Sequence, residues 1–250
     1  MSKTVLICGC SFTADSGFTV ENYKTYHYIS LLKDKYQIEF DNIAIGGMSN
    51  REIMLRTAES IVLGRKQYDA VIVQWTSLPR WWFYKNSPNV DDFTGINNRH
   101  VFGLAGTHNA VLRKILLTEF DNQYVLLKQW LLDCISLGKL LENQVPYIFC
   151  LGFNNWLVEF EKIEYSNGFQ HLTSELSVIL DLRNRPDSYI LDRVTKIKDL
   201  ITIVKQYNWN NFSNQDWFSH SVDLSDDQLH PGIMSNANWA KSLEPFMLNL

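Results

Sequence analysis

The stretch Asp69-Ala-Val-Ile-Val-Gln-Trp75 decides the fold class. Ala70 to Val73 is apolar without a break, and Val71, Ile72 and Val73 are β-branched. A strand with one wet face alternates polar and apolar residues. A run that stays apolar is buried on both faces, as a central strand of a parallel sheet is. Two other runs share this character. Thr4 to Cys8 is a short apolar run stopped by Gly9, and Val145 to Phe153 carries Pro146 near its start, where proline is tolerated. A fourth stretch, Tyr36 to Ala44, is rich in β-formers, alternates only loosely and ends at Gly46-Gly47.

Helical patterns fill the intervals. Tyr26 to Lys35 places Ile29, Leu31 and Leu32 as its apolar positions. Arg51 to about Gly64 gathers Ile53, Met54, Ala58 and Ile61 on one face, with Ser49 or Asn50 as its cap. Tyr124 to Glu142 lines up Leu127, Trp130, Leu131, Cys134, Leu137 and Leu141. Arg193 to Tyr207 repeats Ile197, Leu200, Ile201 and Val204 at i, i+3, i+4, i+7. A last helix starts near Met234, with a break expected at Pro245. Strands that alternate with helices build βαβ units and a mostly parallel sheet. Residues 79–120 and 154–190 show no clear periodicity and read as two insertions on the rim. No linker rich in Gly, Ser or Pro divides the 250 residues, so residues 1–250 are expected to form one α/β domain.

Composition removes several classes of function. The 23 basic and 27 acidic residues give a net charge of −4, which supplies no basic face for nucleic acid. No apolar run approaches the ~18 residues that span a membrane. The apolar run at the N-terminus is too short for an export signal and runs into a turn, so a cytoplasmic protein is expected. The four cysteines, Cys8, Cys10, Cys134 and Cys150, are then expected to be packed thiols. Cys8 and Cys10 form a C-x-C, no second pair stands at zinc spacing, and no metal is expected. Nucleotide-binding glycine patterns, G-x-S-x-G and H-E-x-x-H are all missing from the sequence, and no cofactor is expected.

In a parallel α/β sheet, ligands bind beyond the carboxyl ends of the strands. The loops there are Gly9-Cys10-Ser11-Phe12-Thr13, Gly46-Gly47-Met48-Ser49-Asn50, Thr76-Ser77-Leu78-Pro79-Arg80 and the stretch before the last helix. That stretch reads Asp226-Asp227-Gln228-Leu229-His230-Pro231-Gly232. An Asp three residues before a His can fold back so that its carboxylate holds the imidazole in one tautomer and stabilises the imidazolium. Such an imidazole needs a nucleophile. Ser11, at the turn after the first strand, would expose its oxygen and place its own N–H near a developing oxyanion. Each fragment alone has a bland reading as a cap or a turn. Their order along the strand ends is what gives the set weight. Cys10 is the alternative nucleophile, disfavoured by its register to the strand. His27, His100, His108, His171 and His220 fit no ligand spacing and read as surface or packing residues.

These blocks resemble those of the SGNH (GDSL-type) hydrolases. The family's Gly-Asp-Ser is matched by Gly9-Cys10-Ser11, its Asn-x-Gly-x-x-Gly by Asn42-Ile43-Ala44-Ile45-Gly46-Gly47, and its Asp-x-x-His-Pro by Asp227, His230 and Pro231. The resemblance runs in block order from end to end but rests on few identical positions. It implies a three-layer α/β/α sandwich of flavodoxin-like layout. It also implies a Ser-His-Asp esterase, with Ser11 as nucleophile, His230 as general base, Asp227 orienting His230, and the N–H groups of Ser11 and Gly47 as oxyanion donors. The family's third block, Gly-x-Asn-Asp, is not matched. The central strand leads into Thr76, Ser77 and, three residues on, Arg80; one of these replaces the Asn, or the third donor is absent. The chain resembles divergent bacterial or viral members of the family more than secreted lipases, which implies a virion-associated protein as an alternative to a cytoplasmic one.

The chain carries eight tryptophans. Trp75, Trp81, Trp82, Phe83 and Tyr84 cluster around the end of the central strand. They read either as core and rim packing or as an aromatic wall for an acyl chain or a sugar face. Arg80 beside them suits an anionic group, and Trp156 suits the opposite wall. The expected function is hydrolysis of an O-acyl ester, O-acetyl and carbohydrate-linked among the candidates. The expected partner is that small-molecule or glycan ester, without nucleic acid or membrane. Acyl transfer at the same site and a non-catalytic binding module are the alternatives.

Overall fold

Val5, Leu6, Ile7 and Cys8 are all buried, and they divide between two cores: Leu6 and Cys8 point to one face of the sheet, Val5 and Ile7 to the other. A computed structural model of the chain describes residues 2–14, 25–64, 66–76, 80–84, 99–103, 123–152, 186–210, 221–225 and 230–250. Strand β1 (Thr4–Cys8) lies between β2 (Glu39–Asn42) and β3 (Ala70–Trp75), and β6 (Tyr147–Leu151) pairs with the far side of β3. All three pairings are parallel, with Val5 opposite Ala70 and Val71 opposite Tyr147. The order β2-β1-β3-β6 is the flavodoxin-like order, and its switch point falls between β1 and β3. Beyond β6, Asn208 O and the Asn210 N–H each bond Phe149 at 2.8 Å and form a parallel bridge through Trp209, which extends the sheet by one position among the described residues.

Helices cover both faces. Helix α1 (Tyr28–Tyr36) and α5 (Ile233–Met247) pack together over Val5, Ile7, Ile72, Ile148 and Cys150. Helices α2 (Asn50–Val62), α3 (Gln123–Leu141) and α4 (Asp187–Val204) cover Leu6, Val71, Val73, Trp75 and Phe149. The result is a three-layer α/β/α sandwich, as the sequence implies. Every β3 residue is buried, which accounts for its unbroken apolar run. The six expected apolar residues of α3 all face the core. Ser49 is the cap of α2: its hydroxyl accepts from the Glu52 N–H, and Ser49-x-x-Glu52 has the form of a capping box.

Helix α4, helix α5 and the stretch after β3 differ most from the sequence reading. Helix α4 starts at Asp187, not Arg193, because the buried stripe continues back through Val194 and Ile190. Arg193 hides that continuity in the sequence; here it is buried mid-helix with its guanidinium over the Tyr124 and Tyr189 rings, at 4.3 and 4.4 Å. The expected second insertion, 154–190, lies outside the described residues up to 185, and its last residues, from Asp187, belong to this helix. Helix α5 is not broken at Pro245. That proline sits exposed in the last turn; it removes one helix N–H, but only one turn remains to be held, and Leu248 N still donates to Glu244 O. Within 79–120, read as irregular, Arg80–Tyr84 (β4) and Arg99–Gly103 (β5) form an antiparallel pair with Trp82 opposite Val101. Both are runs of β-formers whose partner is distant in sequence, so local periodicity does not announce them.

One buried charge sits between α2 and α3. Asp133 is 1% exposed and pairs with the Arg51 guanidinium at 3.0 Å. Burial pushes its carboxyl up from the ordinary 3.8 to about 6, against the opposing pull of Arg51 and Gln129. A raised carboxyl holds its proton in the folded chain where the unfolded chain has already lost it. Its contribution to stability therefore declines as pH rises from 3.8 to about 6. Asp133→Asn is expected to raise the urea midpoint at pH 7.5 and to flatten the decline across that window; an unchanged slope contradicts this.

Candidate active site

The turn after β1 is built on Gly9. A Cβ there would lie 2.5 Å from Thr13 Oγ1 and 2.9 Å from both Cβ and Oε1 of Gln74, so the position has no room for a side chain. Thr13 N and Ala14 N both donate to Cys10 O, at 3.0 and 2.9 Å, and close the turn. Cys10 is 0% exposed and directs its Sγ down toward Gln74 Oε1, 3.9 Å away. Phe12 and Thr13 are buried as well, while Ser11, between Cys10 and Phe12, is only half-buried. This orientation is the physical reason to prefer Ser11 over Cys10 as a nucleophile. Cys8, Cys134 and Cys150 are also buried free thiols, and desolvation raises each of them, Cys8 to about 12.

Neighbouring elements hold the turn. The Thr13 hydroxyl donates to Gln74 Oε1 and accepts from the Tyr28 hydroxyl at 3.0 Å. Burial raises the Tyr28 phenol far above its usual range, so it stays protonated as that donor. Asn42 Nδ2 donates to Thr13 O at 2.8 Å from the end of β2, and the Ala44 N–H returns to Asn42 Oδ1. Asn42, quoted above only as a block match, thus ties the second loop to the first. Gly47 follows with φ +83°, a left-handed conformation that favours glycine, and nothing stands within 4 Å of where its Cβ would be. The Gly47 position therefore requires glycine for its backbone and not for space.

At the end of β3, Thr76 N donates to Asn50 Oδ1 at 2.7 Å and Asn50 Nδ2 donates to Thr76 O at 2.9 Å. Asn50, considered in the sequence only as a cap, fixes the crest of the central strand. The Thr76 hydroxyl is buried and has no hydrogen-bond partner among the described residues. Trp75 is corrected: it is 1% exposed and packs edge-on against Trp130 and Phe149, so it belongs to the core and lines no cleft. Arg80, Trp81, Trp82 and Tyr84 are strand positions of β4; their side chains, together with Ser77 and Trp156, lie outside the described residues.

The C-terminal loop is a short antiparallel ribbon. Ser225 N donates to His230 O at 2.7 Å and Gly232 N to Asp223 O at 3.0 Å, which sets Leu224 opposite Pro231. Ser225 and His230 therefore close the segment that contains Asp227, itself outside the described residues. Asp223 anchors the ribbon to α5 by accepting from the Met234 and Ser235 N–H groups and the Ser235 hydroxyl. Burial works to raise the Asp223 carboxyl, but these hydrogen bonds outweigh it and hold it below the usual range. Gly232 makes room: a Cβ there would meet Asp223 Oδ2 at 2.6 Å. Neither Asp223 nor Ser235 was singled out in the sequence, where the signal available was an Asp ahead of an α-helix start.

The two ends of the chain meet here. The Phe12 ring stands edge-on to the His230 imidazole, with centroids 5.6 Å apart and planes at 86°. The chain is similar in structure to lipolytic proteins of the G-D-S-L family. One such protein, from Veillonella parvula DSM 2008, matches over 100% of both chains at 11% identity and a TM-score of 0.46. TesA matches over 97% of both chains at 11% identity and a TM-score of 0.48. The acetyl xylan esterase AlAXEase matches over 97% of this chain and 98% of its own at 16% identity and a TM-score of 0.46. No family model and no curated protein matches the sequence.

Proposed function

We propose that the protein is a serine esterase that hydrolyses small O-acyl esters, carbohydrate-linked acetyl esters among them. The observation that carries this reading is the contact of Phe12, the residue after Ser11, with His230. It brings the loop that carries a half-buried Ser11 beside the loop that carries His230, at the carboxyl edge of a parallel sheet, where such sites form. In the proposed reaction Ser11 Oγ attacks the acyl carbonyl carbon while His230 takes its proton. The tetrahedral oxyanion rests on the N–H groups of Ser11 and Gly47. Collapse breaks the ester C–O bond, and the alcohol leaves with the proton from His230. Water, activated by His230, then adds to the acyl-serine and frees the acid and Ser11. Asp227 orients His230 throughout.

We assign the third oxyanion position to Thr76. A buried hydroxyl without a partner costs about 1–3 kcal/mol. The reciprocal Asn50 bonds hold Thr76 at the position after the central strand where the family's third block stands. Thr76→Val is expected to lower kcat for 4-nitrophenyl acetate by about 10²-fold with little change in KM, and Thr76→Ser to retain most of it. Equal kcat in Thr76→Val and wild type would remove Thr76 from the oxyanion site.

A further inference from the structure

The Ser11 turn and the His230 loop come from opposite ends of the chain, and ring contact between Phe12 and His230 does not by itself fix their register. A hydrogen-bonded path does. His27, expected from the sequence to be a surface or packing residue, is 3% exposed and sits at the N-cap position of α1. Its Nε2 donates to Phe12 O at 2.9 Å, on the residue next to Ser11. One residue on, Tyr28 N donates to Asn236 Oδ1 at 3.1 Å. Asn236, on α5 and buried, donates its Nδ2 to Pro231 O at 3.1 Å and to Gly232 O at 2.9 Å. The Tyr28 hydroxyl meanwhile reaches Thr13.

We infer that the first turn of α1 is a clamp that sets the register between Ser11 and His230, with His27 and Asn236 as its positioning residues. This rests on the esterase reading for its consequence in catalysis, but the clamp itself is a statement about geometry. All of Asn236's side-chain hydrogen-bonding groups named here serve backbone on two separate elements, which is an expensive use of a buried amide unless the spacing matters. His27 supplies the matching hold on the other loop. The carbonyl acceptor requires the proton on Nε2, so the ring acts here as a donor and not as a base.

The test uses the full chain with His27→Phe, which keeps a ring and loses the donor, and His27→Gln, which keeps a donor of similar reach. Asn236→Asp is an isosteric third variant that keeps the acceptor for Tyr28 N, loses the donors to Pro231 and Gly232, and sets a carboxyl oxygen against those two carbonyls. The first readout is the His230 Cε1–H resonance, assigned by its loss in His230→Gln and displaced in wild type by the ring current of Phe12. The clamp predicts that this resonance moves toward the free-imidazole position in His27→Phe and Asn236→Asp and stays in place in His27→Gln. The second readout is turnover of 4-nitrophenyl acetate. His27→Phe and Asn236→Asp are expected to lose about tenfold to hundredfold in kcat with KM within about twofold, and His27→Gln to recover most of the loss. Folded His27→Phe and Asn236→Asp proteins with the wild-type His230 resonance would overturn the clamp. A wild-type protein that neither turns over substrate nor labels with a fluorophosphonate would overturn the esterase reading, while the resonance would still decide the clamp.

Discussion

Ser11→Ala is expected to lower kcat/KM for 4-nitrophenyl acetate by about 10³-fold or more and to abolish labelling by a fluorophosphonate. The nucleophile and base of a triad act as a unit, so His230→Ala should cost about as much, and the double variant little more than either alone. Whatever rate remains above water comes from the oxyanion donors, which neither substitution touches. The label should map to Ser11 and not to Cys10, because Cys10 is closed off beneath the turn against Gln74 while Ser11 is half-buried. A Ser11→Ala protein with wild-type turnover would remove the mechanism.

The largest effect on stability is expected at Phe149. It is 0% exposed at the middle of β6, and its ring meets Trp75, Trp209, Tyr147 and Tyr207 at centroid distances of 5.0–6.3 Å. Its backbone also holds Asn208 and Asn210, the bridge on the far side of β6. Phe149→Ala removes the ring from the centre of this cluster, where the surrounding rings cannot collapse into the space. A loss of about 3–5 kcal/mol is expected, against about 1–2 kcal/mol for Phe149→Leu. Urea unfolding monitored by tryptophan fluorescence measures both. A loss under about 1 kcal/mol for Phe149→Ala would show that the cluster is looser than its geometry.

The residues that repeat with a short period were readable from the sequence. β1, β3 and β6 announce themselves because both faces are apolar, and α3 because its six core residues keep helical spacing. What the sequence hides is long-range. Arg193 breaks an apolar stripe on paper and completes it in space by stacking on two tyrosines. β4 and β5 exist through each other, across a gap no local window covers.

The site divides in the same way. Ser11 and His230 are visible because serine after a buried strand and Asp-x-x-His-Pro are compact signals, and the structure brings their loops together through Phe12. Asn42, Asn50, His27, Asn236 and Asp223 are not visible as site residues. Each acts by bonding backbone outside its own element, which for all but Asp223 includes an element distant in sequence, so only the fold gives its side chain a purpose. Trp75 is the opposite case: it belongs to a conspicuous aromatic run, and its place at the end of a strand buried on both faces puts its ring in the core.

The most direct measurement is a crystal structure of the protein after reaction with a diethyl fluorophosphonate. A phosphonyl group is expected on Ser11 Oγ, with one phosphonyl oxygen on the N–H groups of Ser11 and Gly47 and the His230 imidazole within hydrogen-bond reach of the Ser11 oxygen. An adduct on another residue, or an adduct on Ser11 with His230 turned away and its ring beyond reach, would contradict the mechanism.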